Sequence, residues 1–470
     1  MSDRVYRDPV HGSIAFDWKR ERFLIELIDT PEFQRLRRIK QLGAAQLVFQ
    51  GAEHSRFCHS LGVAFLAKRI IDRLREDPNL PGGLDFEETR KVVLAGGLLH
   101  DIGHGPFSHL FERTFSQKNH ETWSVEIIDN PDTQVHRVLK EHGLVDSVKK
   151  LLLKSYQPRF ATDIISSQVD ADRLDYLLRD SYMTGVTYGR YDLDWLLEVI
   201  ELAKIPGNGL GIAVNHKKGF HAAEQFVIGR YLMYQQVYFH RTIRAAERMI
   251  KLIFERLVDN AKAGNLPRFC PDAIHQLLNS HLRSISLRAY LRLDDEFMFA
   301  CFNLWSEDHE DDILKDLCRR LLRRDLFKTE AIDISRISDH LKYTADLKTL
   351  QDAMNDAGFD PRYYLASDAA EDLPYKDMMW FIAKDRTPED IWLAEGGQAK
   401  FNLSDPRVSP LIDSLRNIPI AATRLCFPSE MKELVRKHLQ PYLTNFVSQE
   451  ERQLVFKLGS EAKQPMGERI

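Results

Sequence analysis

The sequence predicts a mainly α-helical protein, a large helical portion followed by a smaller α+β C-terminal portion. Three observations carry that expectation. Most long segments repeat their apolar residues at i, i+3, i+4 and i+7, the period of a helix with one buried face. Segments that read as strands are few and short. Past a boundary placed around residues 285–335, the helical pattern gives way to mixed patterning with Asp, Pro and Gly. The expected division is 1–290 and 291–470.

Taken in order, the apolar residues Val63, Leu66, Ala67, Ile70, Ile71 and Leu74 keep helical spacing, with His59 opening that helix and Arg56 just ahead of it. Residues 92–99 are apolar all round and fit a short buried helix or strand. Gly96 and Gly97 lower its helix propensity while permitting close packing. Residues 222–261 make the longest helical pattern, with Phe226, Ile243, Ala246, Met249, Ile250, Ile253 and Leu257 as core candidates. Residues 210–214 read as a strand followed by a turn at 215–219, and 378–383 and 391–394 as later strands. Residues 367–374 and 395–397 read as loops, and the polar tail from Gly459 is expected to fray.

Composition narrows the class. At 470 residues, 44% hydrophobic and 29% charged, the chain is long enough to bury sizeable cores. A net charge of −4 and a pI near 6.5 do not indicate a nucleic-acid partner, although a local basic groove stays open. The cysteines Cys58, Cys270, Cys301, Cys318 and Cys426 form no CxxC pair and do not read as a disulfide framework or a thiolate zinc site. The first residues contain no apolar leader, and no apolar run is long enough to span a bilayer. A reduced, cytoplasmic protein without a membrane partner is expected.

Histidine is concentrated between His54 and His120. The run from His100 and Asp101 through Gly103, His104, Gly105, Pro106 and Ser108 to His109 places imidazole and carboxylate donors at one backbone point. That donor mixture suits Zn, Fe, Mn, Co or Ni. Two distant stretches could complete such a site. One runs from Glu53 past Arg56 and His59. The other, residues 169–180, is an acid-rich helix with Asp172, Arg173, Tyr176 and Asp180 at helical spacings. Its alternative is a solvated face. Arg230, Tyr234, Tyr238 and Arg241 follow spacings of four, four and three, a stripe that suits phosphate oxygens and a stacked sugar or base, or else simply core. No P-loop, HExxH or GxSxG pattern is present. Hydrolysis by a metal-activated water matches the inventory best.

In order and spacing, His59, the His100-Asp101 doublet and Asp172 resemble the H…HD…D signature of the HD-domain phosphohydrolases. Longer blocks from Asp8 to Gly12, from Phe33 to Gly43, from Arg56 to Val63 and from His100 to Phe111 are similar to the HD-domain deoxynucleoside triphosphate triphosphohydrolases. Their vertebrate branch, which adds a sterile-alpha-motif domain, is the one this chain resembles through its catalytic core. Similarity is strong over roughly residues 4–250. The sequence starts close to the first matching block, so no counterpart of the sterile-alpha-motif domain is expected.

The resemblance implies a helical HD-domain core that cleaves dNTPs, dGTP among them, to deoxynucleoside and intact triphosphate. It implies that His59, His100, Asp101 and Asp172 hold a divalent metal, Fe, Mn or Zn, with Mg also supporting activity. It implies His109 as general acid with Glu121 orienting it, and His104 and His120 beside the α-phosphate. Arg56, Arg173 and Arg230 match phosphate-binding positions. Gln41 and Asp180 match partners of the sugar 3′-hydroxyl, Leu42 and Tyr238 the wall that excludes a 2′-hydroxyl, and Tyr176 an aromatic packed on the sugar. Two pocket positions depart from the family: Arg173 replaces a lysine, and Tyr234 a histidine that bears on base choice. A homo-tetramer or homo-dimer is implied, with nucleotide activators bound between subunits by Arg4, Val5, Asp29, Gln34 and Arg37, and by Arg324 and Lys328. Arg7 replaces an asparagine of that activator site. Two alternatives stand beside this reading: an HD phosphohydrolase acting on another nucleotide or nucleic-acid phosphate ester, and a nucleotide-sensing module without catalysis.

Overall fold

A computed structural model describes residues 3–115, 118–279, 285–307, 310–368, 390–416 and 423–444. They cluster into two compact units, residues 1–327 with 371–421, and residues 328–370 with 422–470.

The first unit opens with an antiparallel hairpin of β1 (Arg4–Asp8) and β2 (Gly12–Phe16), which the sequence pattern did not announce. Helices α1 (Arg22–Ile28) and α2 (Pro31–Gln34) follow, and a 3-10 turn over Arg35–Arg38 leads to the loop carrying Gln41 and Leu42. The predicted amphipathic helix is α3 (Arg56–Leu74), with Arg56 as its first residue rather than ahead of it. The apolar run at 92–99 is helical, the second half of α4 (Phe86–Leu99), because Asp85 caps its start by accepting from the Glu88 amide at 3.0 Å. Helices α3 and α4 pack together around Ala64, Ala67, Ile71, Val93 and Leu94, all fully buried. Truncating a leucine or isoleucine in such a core to alanine costs about 2–5 kcal/mol.

Short helices α5 (His109–Phe115), α6 (His120–Asp129), α7 (Gln134–Glu141), α8 (Val145–Leu152) and α9 (Arg159–Asp163) come next, α8 and α9 packing on α4, followed by α10 (Ala171–Thr184) and α11 (Leu193–Glu198). Asp163 ends α9 buried, with its pKa pushed up to about 6 by burial, against the opposing Arg159 guanidinium 3.3 Å away. Strands β3 (Ile200–Ile205) and β4 (Gly209–Asn215) then form a hairpin.

The expected turn at 215–219 is instead a helix start. Asn215 accepts from the Lys218 amide at 3.1 Å and caps α12 (His216–Met233). The long pattern at 222–261 is likewise two helices. After α12 the chain passes through one π-helical turn, Tyr234–Tyr238, and α13 (Arg241–Lys262) begins anew where His240 accepts from the Thr242 amide. The wide turn breaks the 3.6-residue register, so Arg241 falls off the stripe and is exposed, while Arg230, Tyr234 and Tyr238 are buried.

Helices α14 (Asp272–Asn279), α15 (Leu287–Tyr290), α16 (Asp295–Trp305) and α17 (Asp312–Leu322) continue the same unit. The second unit contains β5 (Lys328–Ala331), α18 (His340–Asp356), α19 (Pro361–Tyr364) and β6 (Ala366–Asp368). Ser367 and Asp368, expected in a loop, lie in β6 because Asp368 and Ser367 pair with Arg424 and Leu425. The strand expected at 378–383 lies outside the described residues. Strands β7 (Trp392–Glu395) and β8 (Gln398–Asn402) return to the first unit and close a four-stranded barrel, order β3-β4-β7-β8, over a small core that includes Ala203, Ala213 and Ala394. Helix α20 (Pro410–Arg416) follows, and β9 (Arg424–Phe427) and α21 (Lys432–Leu439) complete the second unit with the sheet order β5-β9-β6. No helix among the described residues is long and apolar enough to cross a membrane.

Candidate functional site

Helices α3, α4 and α10 bring the histidine and aspartate candidates together from three separate parts of the chain. His59 sits one turn into α3, His100 and Asp101 follow the end of α4, and Asp172 lies in the first turn of α10. Asp170 caps α10 by accepting from the Arg173 amide at 2.7 Å. Donor atoms of His59, His100 and Asp172 all lie within 4.8 Å of one another. His59 Nε2 is 3.0 Å from Asp172 Oδ1, and His100 Nε2 is 3.6 Å from the same oxygen.

Both rings are turned the way a cation needs. His100 Nδ1 donates to the Gly97 carbonyl at 2.9 Å, which turns Nε2 toward Asp172. Nε2 is buried and has no hydrogen-bond partner among the described residues. His59 Nδ1 donates to Asp175 Oδ2 at 2.8 Å and leaves its Nε2 facing Asp172. Burial disfavours a charged His59, but hydrogen bonds to Asp172 and Asp175 outweigh it and lift its pKa to about 10. Two imidazole nitrogens and a carboxylate at this separation fit a divalent transition metal.

Asp101 stands at the edge of this group. One carboxylate oxygen is 3.8 Å from His59 Nε2 and also takes the Arg56 guanidinium, while the other is 3.4 Å from His100 and 3.2 Å from His104. Burial opposes its charge, but His100, Arg56 and His104 together hold its pKa well below the usual carboxylate range.

A supporting network, which the sequence reading did not single out, centres on Asp175. Its two oxygens accept from His59, from His11 at 2.6 Å and from both Nε and Nη2 of Arg179, at 2.7 and 2.9 Å. Arg179 donates onward to Asp8, whose other oxygen accepts from the amides of Val10 and His11. The Asp8 to Gly12 block is therefore a brace for His59. Helix α10 is no solvated face: Asp175, Arg179 and Asp180 are buried. Room for Asp175 exists because residue 62 of α3 has no side chain; a Cβ there would overlap Asp175 Oδ1 and the Arg179 guanidinium.

A second group stands beside the first. His104 and His120 stack with ring centres 4.0 Å apart and planes at 10°, and Glu112 faces both, 3.7 Å from His104 Nδ1 and 3.2 Å from His120 Nδ1. Burial, Arg56 and His120 hold the His104 pKa well below the usual histidine value. Glu112 was missed because nothing in its local spacing separates it from an ordinary helix-surface acid. Glu121 is exposed and accepts from Asn119 Nδ2 at 3.1 Å. The backbone of His109 opens α5, but its side chain lies outside the described residues. Just before it, Phe107 and Ser108 both take the left-handed conformation at φ +53°, a strain of order 1–3 kcal/mol each for non-glycine residues. Ser108 Oγ is held by Arg56 at 2.7 Å.

The proposed sugar side is built on Asp180. Its carboxylate accepts from Tyr238 at 2.7 Å and from His54 at 2.8 Å. Tyr176 and Tyr234 pack against Tyr238, with ring centres at 6.3 and 5.1 Å. Leu42 is buried, and the shielded Oε1 of Gln41 has no hydrogen-bond partner among the described residues. The three arginines are buried with partners in place: Arg56 on Asp101, Arg173 on Asp170, and Arg230 on Gln168 Oε1 at 2.7 Å.

At the corner of the N-terminal hairpin, Arg4 pairs with Asp29 at 2.5 Å, and Val5 is exposed. Gln34 donates to the Ile28 carbonyl and accepts from Arg37, whose guanidinium lies 3.6 Å from the Phe57 ring centre. Arg324 donates to the Leu47 carbonyl at 2.6 Å, and Lys328 begins β5 of the second unit.

A helical unit that converges histidines and aspartates at the ends of α4 and α10 defines an HD-type phosphohydrolase. Comparison with known proteins agrees. The chain matches the HD domain over residues 56–180 and the HD associated region over 207–299. It is 37% identical over 433 residues to the uncharacterized protein YwfO of Bacillus subtilis, spanning 91% of this chain and 93% of that one. A crystal structure of a phosphohydrolase from Bacteroides thetaiotaomicron matches with a TM-score of 0.73 at 29% identity, covering 90% of this chain and 99% of the other. The deoxynucleoside triphosphate triphosphohydrolase SAMHD1 of Gallus gallus is 28% identical over 369 residues, 69% of this chain and 55% of that one. The chain belongs to the HD-domain, dNTPase-like family.

Proposed function

We propose that this protein is a metal-dependent dNTP triphosphohydrolase that cleaves dNTPs, dGTP among them, to deoxynucleoside and inorganic triphosphate. The observation that carries the reading is the convergence of His59, His100 and Asp172 beside the stacked His104–His120 pair. His59, His100, Asp101 and Asp172 are assigned to the metal, Fe, Mn, Zn or Mg. When bound, such a cation supplies Lewis acidity toward the α-phosphate and acidifies water.

The protein's own residues divide the remaining work. Arg56, Arg173 and Arg230 are assigned to the phosphates, where guanidinium forks suit oxyanions. To bind substrate they exchange part of their present pairing with Asp101, Asp170 and Gln168, so the triphosphate meets donors already oriented. The bond that breaks joins the α-phosphorus to the sugar 5′-oxygen, and His109 gives that oxygen its proton, with Glu121 supporting it. His104 and His120, held by Glu112, flank the α-phosphate; a neutral His104 can donate a hydrogen bond without adding charge. Asp180 and Gln41 take the 3′-hydroxyl, and Tyr176 packs on the sugar. Leu42 and Tyr238 leave a 2′-hydroxyl without space or a partner.

Incubating metal-loaded protein with each dNTP and each rNTP tests this directly. Deoxynucleoside plus triphosphate from dNTPs, with rNTPs turned over far more slowly, is expected; dNMP plus pyrophosphate would overturn the mechanism. Regulation is assigned to Arg4, Val5, Asp29, Gln34 and Arg37, with Arg324 and Lys328 as additions, as residues of a nucleotide activator site between subunits of a homo-tetramer or homo-dimer. A change of size by light scattering on adding dGTP is expected, and an unchanging monomer would remove this part of the proposal.

A further inference from the structure

Residues 290–295, which join α15 to α16, touch both halves of the site. Arg35 donates through Nε and Nη2 to the Leu293 carbonyl at 3.1 and 2.8 Å, and Arg38 donates to Asp294 at 2.7 Å. The Tyr290 hydroxyl donates to the Gly103 carbonyl at 2.6 Å while its ring stacks on Trp123, centres 3.9 Å apart. At the centre is Asp295, 1% exposed. Its Oδ2 accepts from the Lys40 amide at 2.8 Å, and its Oδ1 accepts from the Phe107 amide at 2.7 Å.

These two amides belong to segments with different tasks. Lys40 immediately precedes Gln41 and Leu42, the sugar-side wall. Phe107 is the first of the two left-handed residues that end the 100–108 loop and lead into α5. A single rigid carboxylate spans them, one oxygen to each. Because α16 extends from Asp295 into a core of Met298, Cys301, Phe302 and Trp305, the carboxylate is fixed from behind.

We infer that Asp295 is a positioning residue that sets the distance between the sugar wall and the phosphate-side loop. This rests on the nucleotide reading above. It gives the HD associated region, within which Asp295 falls, a task of its own: holding the 2′-excluding wall at a fixed offset from the scissile bond. Discrimination against ribose then depends on a residue that never touches the sugar.

The test is Asp295→Asn. Asparagine keeps one acceptor and presents its NH2 to the other amide N–H, so one of the two tethers must open. The ratio of kcat/KM for dGTP over GTP is expected to fall about tenfold, because sub-ångström misplacement of bound groups is expensive in rate. A purely structural defect lowers the folded fraction for both substrates equally and cancels in that ratio. Hydrogen exchange by mass spectrometry should also show faster exchange confined to 38–42 and 103–108. An unchanged ratio with unchanged exchange would overturn the inference. Should the parent protein hydrolyse no dNTP, the substrate reading fails, and exchange alone decides the tether: faster exchange in both segments supports it, and unchanged exchange refutes it. If Asp295→Asn does not fold, Tyr290→Phe removes the hydroxyl's bond to Gly103 and its contact with Arg35 while leaving both Asp295 tethers in place. It is expected to speed exchange at 103–108 and lower turnover several-fold with the sugar ratio intact, and no effect on either would count against the clamp.

Discussion

Two clusters of histidine and carboxylate lie side by side in this protein, built from the same side chains and tuned in opposite directions. In the first, His59 is flanked by Asp172 and Asp175, which favour positive charge at the ring. In the second, His104 is buried beside the Arg56 guanidinium and His120, which disfavour it. Residue type therefore does not set the role; the neighbours do. Carboxylates on both sides of His59 favour positive charge there, whereas at His104 burial and the Arg56 and His120 cations outweigh Asp101 and keep the ring neutral.

The strongest way to break that contrast is to remove one member of each cluster and measure metal and turnover separately. His59→Ala should lose the metal by elemental analysis and reduce triphosphate release at least about 10³-fold, the scale of losing a metal-activated nucleophile. Glu112→Gln should keep the metal and slow turnover about 10²-fold, within the range for a misplaced acid–base group. If Glu112→Gln also loses the metal, the two clusters are one site and the contrast fails.

A smaller effect sharpens the role of burial alone. Asp163 has a folded pKa raised to about 6, above its unfolded value, by burial. The folded state therefore holds its proton more tightly, and the associated stability is complete below about pH 4 and lost as pH rises through 6. Asp163→Asn should remove that slope, about 3 kcal/mol at most, and leave the Ile212 amide an acceptor. Urea unfolding at pH 4 and pH 7 measures it; a slope equal to the parent's would assign the pH dependence elsewhere.

The smallest effect concerns the exposed hairpin corner. Arg4 and Asp29 are 39% and 54% exposed, and such surface pairs contribute about 0–1 kcal/mol. Arg4→Ala should leave the melting temperature nearly unchanged while abolishing any dGTP-dependent change in size. A protein that still responds to dGTP would clear Arg4 of an activator role.

Much of this was legible in sequence where the signal is local. The spacing of Leu66, Ala67, Ile70 and Ile71 marks α3, and the His100-Asp101 doublet marks a donor pair without any fold. What was not legible depends on distance along the chain. His11 and Asp175 are 164 residues apart, and Asp295 lies 255 residues from Lys40. Asp175 and Glu112 sit on helices where an acid ordinarily faces water, so no local rule singles them out. The π turn at Tyr234–Tyr238 escaped for another reason: its residues keep an acceptable helical pattern, and only the hydrogen-bond register changes. The N-terminal hairpin escaped because its two strands are five residues each, too short for alternation to stand out.

Residue 62 shows what such hidden dependence means for variation. Gly62 contributes nothing to the metal cluster except vacancy, since the volume a methyl group would fill belongs to the carboxylate that orients His59. Replacement by alanine, ordinarily among the mildest changes in a helix, would press on that carboxylate. A population of drifting sequences would be able to exchange many of the large apolar residues of α3 for one another, yet would find this smallest position closed.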